Sequence, residues 1–238
     1  MRYIEYAENQ PRRLSFFLSL EEFAARYLDD SDDYFFMWQV NPTVIFGRHQ
    51  VIENEVNLDY CQTHHIQFYR RKSGGGCVYA DKSNVMLSYI TTETNVEKTF
   101  DRYLEMVAAA LGTLDIGTVR TQNNDLLIGD RKVSGNAIYH LPGRVIAHGT
   151  LLYDTDMEHM MHAITPSAEK LTKHGVESVR QRITLLKDHT TLPLSVIKQR
   201  IRHHLCNAVY RLTDEDERMV REIEQEYLSH DFIFGKHS

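Results

Sequence analysis

Between residues 70 and 78 the chain reads Arg70-Arg71-Lys72-Ser73-Gly74-Gly75-Gly76-Cys77-Val78, three cations directly ahead of three glycines. Glycines let a backbone approach a ligand closely and expose amide N–H groups that can cradle phosphate or carboxylate oxygens. Arg70 or Arg71 could add bidentate, charge-assisted hydrogen bonds to the same anion. A glycine triplet alone reads as a surface turn, but three bulky cations beside it in a strand-rich region favour a local anion site. Neither GxxxxGK[ST] nor GxGxxG is present, so a nucleotide would need a different architecture. A second segment carries Asn124-Asp125-Leu126, then Gly129-Asp130-Arg131-Lys132-Val133-Ser134-Gly135-Asn136-Ala137, then His148-Gly149-Thr150-Leu151-Leu152. By itself Lys132 is a turn lysine. Ser134, Gly135 and Ala137 are small enough to leave room for a ligand beside a strand. Asp125 suits a Mg²⁺ ligand, a partner for the lysine or a structural carboxylate, and His148 a general base or a packing histidine.

Other reactive types are less organised. There are 13 histidines, and His159 and His162 share one helical face, but no glutamate or cysteine stands at ligand spacing, so no zinc site is expected. The three cysteines, Cys61, Cys77 and Cys206, are too scattered for a disulfide framework or a CxxC site and suit a reducing compartment. A formal net charge of -6 argues against broad attraction to nucleic acid or anionic lipid. Residues 1–20 lack a signal-peptide core and no apolar run reaches membrane-spanning length, so a cytoplasmic protein is expected.

The elements that must position these groups follow from periodicity. Leu14–Leu28 has the spacing of an amphipathic helix, with Glu21 and Glu22 between the apolar positions. Tyr34–Val40 and Thr43–Phe46 read as neighbouring strands across the Asn41-Pro42 turn, and Ile66–Tyr69 and Val85–Ile90 as strands flanking the glycine run. Val96–Leu111 is a helix by length and spacing. From Gly117 to Tyr153, short strands punctuated at Gly129-Asp130 and Pro142-Gly143 predict a β-meander. After Pro166 two charged, glycine-free closing helices are expected, Leu194–Leu212 and Asp214–Leu228. The whole reads as α+β, a mixed sheet covered by helices.

The pattern Arg70-Arg71-x-Ser73-Gly74-Gly75-Gly76-x-Val78, followed by Asp81 and Asn84, resembles the signature of the lipoate-protein ligase and biotin-ligase superfamily, on its lipoate branch. The Lys132 segment is similar to that family's second motif and His148-Gly149-Thr150 to its third. Asn41-Pro42-Thr43-Val44, Gly47-Arg48, Gln50, Ser178-Val179-Arg180 and Arg182-Ile183-Thr184 also fit, so the resemblance spans most of Trp38 to Leu186. It departs at Ala147, where a second histidine often stands. The resemblance implies a largely antiparallel, ligase-like catalytic domain over 1–190, with 191–238 as a helical appendage packed on it.

The activity implied is ATP-dependent conversion of lipoate to lipoyl-AMP, then transfer to a lysine of a lipoyl carrier domain in 2-oxoacid dehydrogenase or glycine cleavage complexes. Lys132 would contact both the acid's carboxylate and the ATP α-phosphate, where two anions must be brought together. Nucleotide would lie against Arg70, Gly75, Gly76, Cys77, Val78 and Lys132. The acid would lie against Arg70, Ser73, Gly74, Lys132, Ser134, Gly135, Ala137, His148 and Gly149, with Mg²⁺ at Asp125. Four alternatives keep the pocket. They are an octanoyl or lipoyl transferase using a cysteine thioester, although Ser167 stands where one such group has its thiol; a transferase of preformed lipoyl-AMP; an enzyme needing an accessory subunit; and a non-catalytic lipoate-binding module. Biotin attachment fits the Lys132 and His148 motifs less closely.

Overall fold

A computed structural model of the chain describes residues 1–7, 11–121, 124–164 and 182–235. Pro166, Ser167 and Ser178-Val179-Arg180 lie outside the described residues. The N-terminal half runs β1 (Arg2–Glu5), α1 (Leu14–Tyr27), β2 (Tyr34–Trp38), β3 (Thr43–Phe46), α2 (Ile52–Glu55), α3 (Leu58–Thr63), β4 (Gln67–Arg70), β5 (Val78–Ala80), β6 (Val85–Thr91) and α4 (Val96–Gly112). There follow β7 (Val119–Arg120), β8 (Asp125–Ile128), β9 (Arg131–Leu141), β10 (Arg144–Leu151), α5 (Met157–Ala163), α6 (Leu194–Leu205), β11 (Ala208–Arg211), α7 (Asp214–Leu228) and α8 (His230–Phe234).

One sheet has the order β11-β1-β2-β6-β10-β9-β8-β7, antiparallel except where β1 lies parallel to β2 and to β11. A smaller sheet has the order β4-β3-β5. The expected α+β class and the meander β7–β10 are both present. The meander turns at Gly129 and Gly143 need φ of +61° and +77°, which glycine adopts without the steric cost of a side chain.

Alternation along the strands decides which helices cover the main sheet. Tyr34, Phe36 and Trp38 of β2, with Met86 and Ile90 of β6, share a core with α1 and α7. Phe35, Met37, Leu87 and Tyr89 share another with α4 and α6. The small sheet has its own core, where Val44, Phe46 and Tyr79 meet α2, α3 and α5. Among the described residues no helix is long and apolar enough to cross a membrane.

Three local expectations are corrected. β2 and β3 turn at Asn41-Pro42 as expected but belong to different sheets, because a turn signal fixes a reversal and not a pairing. The helix from Leu194 ends at Leu205, Cys206 is extended, and 208–211 pairs with β1 in the register Arg2↔Ala208 to Glu5↔Arg211. Glu21 and Glu22 do not face water but are 3% and 0% exposed. The described part of the segment 191–238, residues 191–235, is thus woven into the fold, giving the main sheet an edge strand and each face of that sheet a helix.

Candidate active site

A cavity of about 260 Å³ opens between the glycine run and strands β9 and β10. Its loop wall is Gly75, Gly76, Cys77 and Val78, with Arg71 behind them. Arg71 shapes this wall from within. Its Nη1 donates to Ile45 O at 3.1 Å, and its Nη2 to Gly74 O and Gly76 O, both at 2.7 Å. Burial lowers the Arg71 pKa to about 10, so it stays charged at neutral pH. Gly75 sits at φ +91°, and a Cβ on Gly47 would collide with the Gly75 carbonyl, so loop and support need glycine together.

Arg70, the arginine the sequence reading assigned to both ligands, does not line the cavity. Its Nε donates to Phe232 O at 2.9 Å and Ile233 O at 3.0 Å, and its Nη1 to Arg48 O at 2.9 Å and Gln50 O at 2.7 Å, while the guanidinium lies over the Phe46 ring. It joins β4 to α8 and to the turn after β3. Adjacent residues of a strand face opposite ways, so a double arginine presents one side chain to each side. Lys72 also turns to the C-terminal segment, with Nζ 2.6 Å from both Glu22 and Glu226.

The opposite wall holds Lys132. A β-bulge makes this possible: Leu126 pairs with Ser134 but Leu127 with Lys132, leaving Val133 as the extra residue. The Lys132 Nζ lies 2.9 Å from Asp125 Oδ1, and its side chain is 38% exposed. A Cβ on Gly135 would stand 2.7 Å from both Cε and Nζ, so glycine there is what lets the lysine cross its own strand. Thr184 N donates to Lys132 O at 2.9 Å, which places the Arg182-Ile183-Thr184 segment alongside. Ser134 is buried and donates to Asn136 Oδ1 at 3.2 Å, and Asn136 Nδ2 donates to Asn124 O at 2.8 Å.

Between these walls the lining is apolar: Leu18, Trp38, Ile45, Val78, Met86 and Ala137. The Trp38 ring is stacked on Phe17, with centroids 4.8 Å apart. His148 closes the cavity from β10 together with Gly149 and Thr150. Its Nε2 lies 2.7 Å from Ser73 Oγ, and its Nδ1 lies 2.8 Å from Glu21 Oε2. An apolar slot ending at a lysine and a loop of glycine amides suits an acid with a greasy tail whose carboxylate must meet a second anion.

Gly75, Gly76, Cys77, Val78, Lys132, Gly135, Ala137, His148 and Gly149 are therefore brought together at the cavity. Asp125, Ser73 and Ser134 reach it only through Lys132, His148 and Asn136, and Gly74 through its carbonyl on Arg71. Sequence reasoning missed the slot residues and Glu21. Alternation in β2 and β6 marks Trp38 and Met86 as buried, but nothing local says that they face a cavity.

Burial raises the Cys77 thiol to about 12, and the Cys61 and Cys206 thiols to about 11, so all three are neutral thiols at physiological pH. Asp81 accepts from Ser83 N at 2.8 Å and Asp156 N at 3.0 Å, and Asn84 accepts from Thr155 Oγ1, so both motif residues tie the chain after β10 to the β5–β6 turn. His64, His159 and His162 pack around Tyr60. Among the described residues no group of three or more His, Cys, Asp or Glu is arranged to hold a metal ion.

Comparison with known proteins identifies the family and the fold. Residues 14–206 match the family described as the lipoyl protein ligase A/B catalytic domain. Lipoate–protein ligase 1 of Staphylococcus aureus is 32% identical over 206 residues, covering 84% of this chain and 63% of that protein. The lipoate-protein ligase LplJ of Bacillus subtilis is 30% identical over 232 residues, covering 92% of this chain and 70% of that one. The chain therefore spans about two thirds of the length of these relatives. Among solved structures, a chain from a bipartite lipoate protein ligase system of Thermoplasma acidophilum superposes with a TM-score of 0.87 at 23% identity, covering 98% of this chain and 96% of that one. A lipoate-protein ligase A bound with ATP superposes with a TM-score of 0.84 at 22% identity, covering 98% of each chain. The fold is shared with both, and by its match over residues 14–206 the chain belongs to the lipoyl protein ligase A/B catalytic-domain family.

Proposed function

We propose that this chain joins lipoate to the ε-amine of a lysine on a lipoyl carrier domain, of the kind found in 2-oxoacid dehydrogenase and glycine cleavage complexes, by way of lipoyl-AMP. The observation that carries the reading is the position of Lys132, an ammonium at the junction of the apolar slot and the glycine loop. In the first step a lipoate carboxylate oxygen attacks the α-phosphorus of ATP and pyrophosphate leaves. Lys132 holds the two anions together and offsets the charge growing on the phosphoryl oxygens. In the second step the target amine attacks the acyl carbonyl, AMP departs, and the amine loses a proton as the amide forms.

The tail would lie along Leu18, Trp38, Ile45 and Met86, and the nucleotide along Gly75, Gly76, Cys77 and Val78. Asp125 would share a Mg²⁺ ion with the phosphates. Bound there, the ion would neutralise phosphate charge. We place 1–190 and 191–238 in one catalytic unit, at work in the reducing cytoplasm that three free cysteines suit.

Thioester chemistry on a cysteine is disfavoured, because Cys77, Cys61 and Cys206 are all desolvated and protonated. The second reading worth keeping is an enzyme whose first step needs an accessory subunit. Its support is the match to a chain of a bipartite ligase over 96% of that chain's length. The test is lipoate-dependent exchange of labelled pyrophosphate into ATP by the purified chain, followed by transfer to a lipoyl domain. Exchange by the chain alone supports the complete ligase. Transfer from supplied lipoyl-AMP without exchange supports the partner-dependent form, and transfer from an acyl-carrier thioester without ATP would overturn both.

A further inference from the structure

Two adjacent glutamates of α1 are buried beside the cavity and are not used by the chemistry centred on Lys132. Burying a carboxylate costs several kcal/mol unless charge and hydrogen bonds compensate, so the partners of Glu21 and Glu22 reveal what they hold. Glu22 Oε1 lies 2.6 Å from Lys72 Nζ and accepts from Tyr227 Oη at 2.7 Å, and its Oε2 lies 2.8 Å from Arg26. Glu21 Oε1 accepts from Ser88 Oγ at 2.5 Å, and Oε2 lies 2.8 Å from His148 Nδ1. His148 Nε2 lies 2.7 Å from Ser73 Oγ, and Trp38 Nε1 donates to Ser88 Oγ at 2.9 Å. Consecutive residues of one helix thus grip Lys72 and Ser73, the two residues just ahead of the glycine triplet.

We propose that Glu21 is a positioning residue for the acid-activating loop, acting through His148 on Ser73. The inference rests on the ligase reading of the cavity. A carboxylate acceptor at Nδ1 keeps that nitrogen protonated and leaves Nε2 with its lone pair, the only state of a neutral imidazole that can accept the Ser73 hydroxyl. Ser73 in turn fixes the start of the Gly74–Gly76 arc, and its carbonyl accepts from Arg48 N at 3.0 Å. The other end of the network is the Trp38 indole, part of the wall of the apolar slot. One buried carboxylate therefore ties the surface meant for the tail to the loop meant for the carboxylate.

Ser73, His148 and Glu21 share the connectivity of a hydrolytic triad. A nucleophilic role is disfavoured because Ser73 is 1% exposed and does not line the cavity, where only His148 is presented. Glu21 orients, and no acyl group passes to Ser73.

The test uses the full chain and the variants Glu21→Gln and Ser73→Ala. The first keeps the volume but turns an N–H toward one of two donors; the second removes a single oxygen and serves if the first fails to fold. In the ligand-free chain, Glu21→Gln should speed amide hydrogen exchange at residues 73–78 tenfold or more while α4 is unchanged. In pyrophosphate exchange, kcat should fall about 10–100-fold for each variant, the scale of a small misplacement at a reacting centre. Lipoate affinity, read from the fluorescence of the single tryptophan, should move less than threefold. The double variant should be no worse than the single ones, because both cut the same chain of bonds. Unchanged amide exchange, kcat within twofold of wild type, multiplying losses in the double variant, or labelling of Ser73 by a fluorophosphonate would each overturn the proposal. A wild-type chain that exchanges no pyrophosphate, alone or with an accessory subunit, while Glu21→Gln still loosens residues 73–78, would sink the ligase reading and leave the relay standing.

Discussion

The two walls of the cavity are built on opposite terms. The glycine loop is held from every side: Arg71 binds its carbonyls, Arg70 and Lys72 fasten its base to the C-terminal segment, and the His148–Ser73 bond fixes its first turn. The Lys132 wall has one ion pair to Asp125 on a side chain 38% exposed, at a bulge beside a glycine. The loop is thus fixed before any ligand arrives, as the proposed binding of an already charged phosphate would require. In the proposed reaction the less confined lysine would leave Asp125 for charge that develops as pyrophosphate departs, so that one wall would bind and the other would do chemistry.

The contrast breaks most sharply at Lys132. Lys132→Ala should lower pyrophosphate exchange about 10²–10³-fold, the scale on which removal of one preorganised charge-stabilising group acts. Thermal stability should hardly change, since exposed pairs contribute ~0–1 kcal/mol. Arg71→Ala should do the reverse. It leaves the carbonyls of Ile45, Gly74 and Gly76 without their donor, so stability in urea should fall by roughly 3 kcal/mol, with activity lost as the loop disorders. Gly135→Ala tests the open side: a Cβ 2.7 Å from the lysine Nζ should displace the ammonium and cut kcat about tenfold without unfolding the chain.

The smallest effect is expected at Cys77, which fills the loop wall without ionising. Cys77→Ala should leave kcat within about twofold, since a protonated, desolvated thiol takes no part in acyl transfer. The thiol pKa is raised from 9.0 to about 12, so the fold favours its protonated form. The stability it contributes is complete below pH 9 and is lost as pH climbs toward 12. Urea melts between pH 8 and 11 should show a fall in the wild type that Cys77→Ala reduces; an identical fall in both would contradict the assigned burial.

Much of this was legible along the chain. Short strands punctuated at Gly129-Asp130 and Pro142-Gly143 marked the meander, and the glycine triplet with its cations marked the loop. The rest depended on partners far away in sequence. Arg70 and Arg71 look equivalent in a row of cations, and only β4 pairing with β3 sends one to the cavity and the other to α8. Glu21 and Glu22 look like the wet face of an amphipathic helix, yet their partners Ser88, His148, Lys72 and Tyr227 lie between 50 and 205 residues on, close enough to bury both. The strand Ala208–Arg211 is too short to announce itself, and it exists because β1 offers an open edge.

Lys132 is proposed to leave Asp125 and bridge acid and phosphate at the mouth of the Trp38 slot. A crystal structure of the chain with a non-hydrolysable sulfamoyl analogue of lipoyl-AMP tests it most directly. The acyl tail should lie against Trp38 and Met86, the adenylate along Gly75–Val78, and Lys132 Nζ within hydrogen-bond distance of both the acyl carbonyl and the sulfamoyl group. An analogue bound elsewhere, or a Lys132 still paired only with Asp125 beside a fully occupied slot, would contradict it.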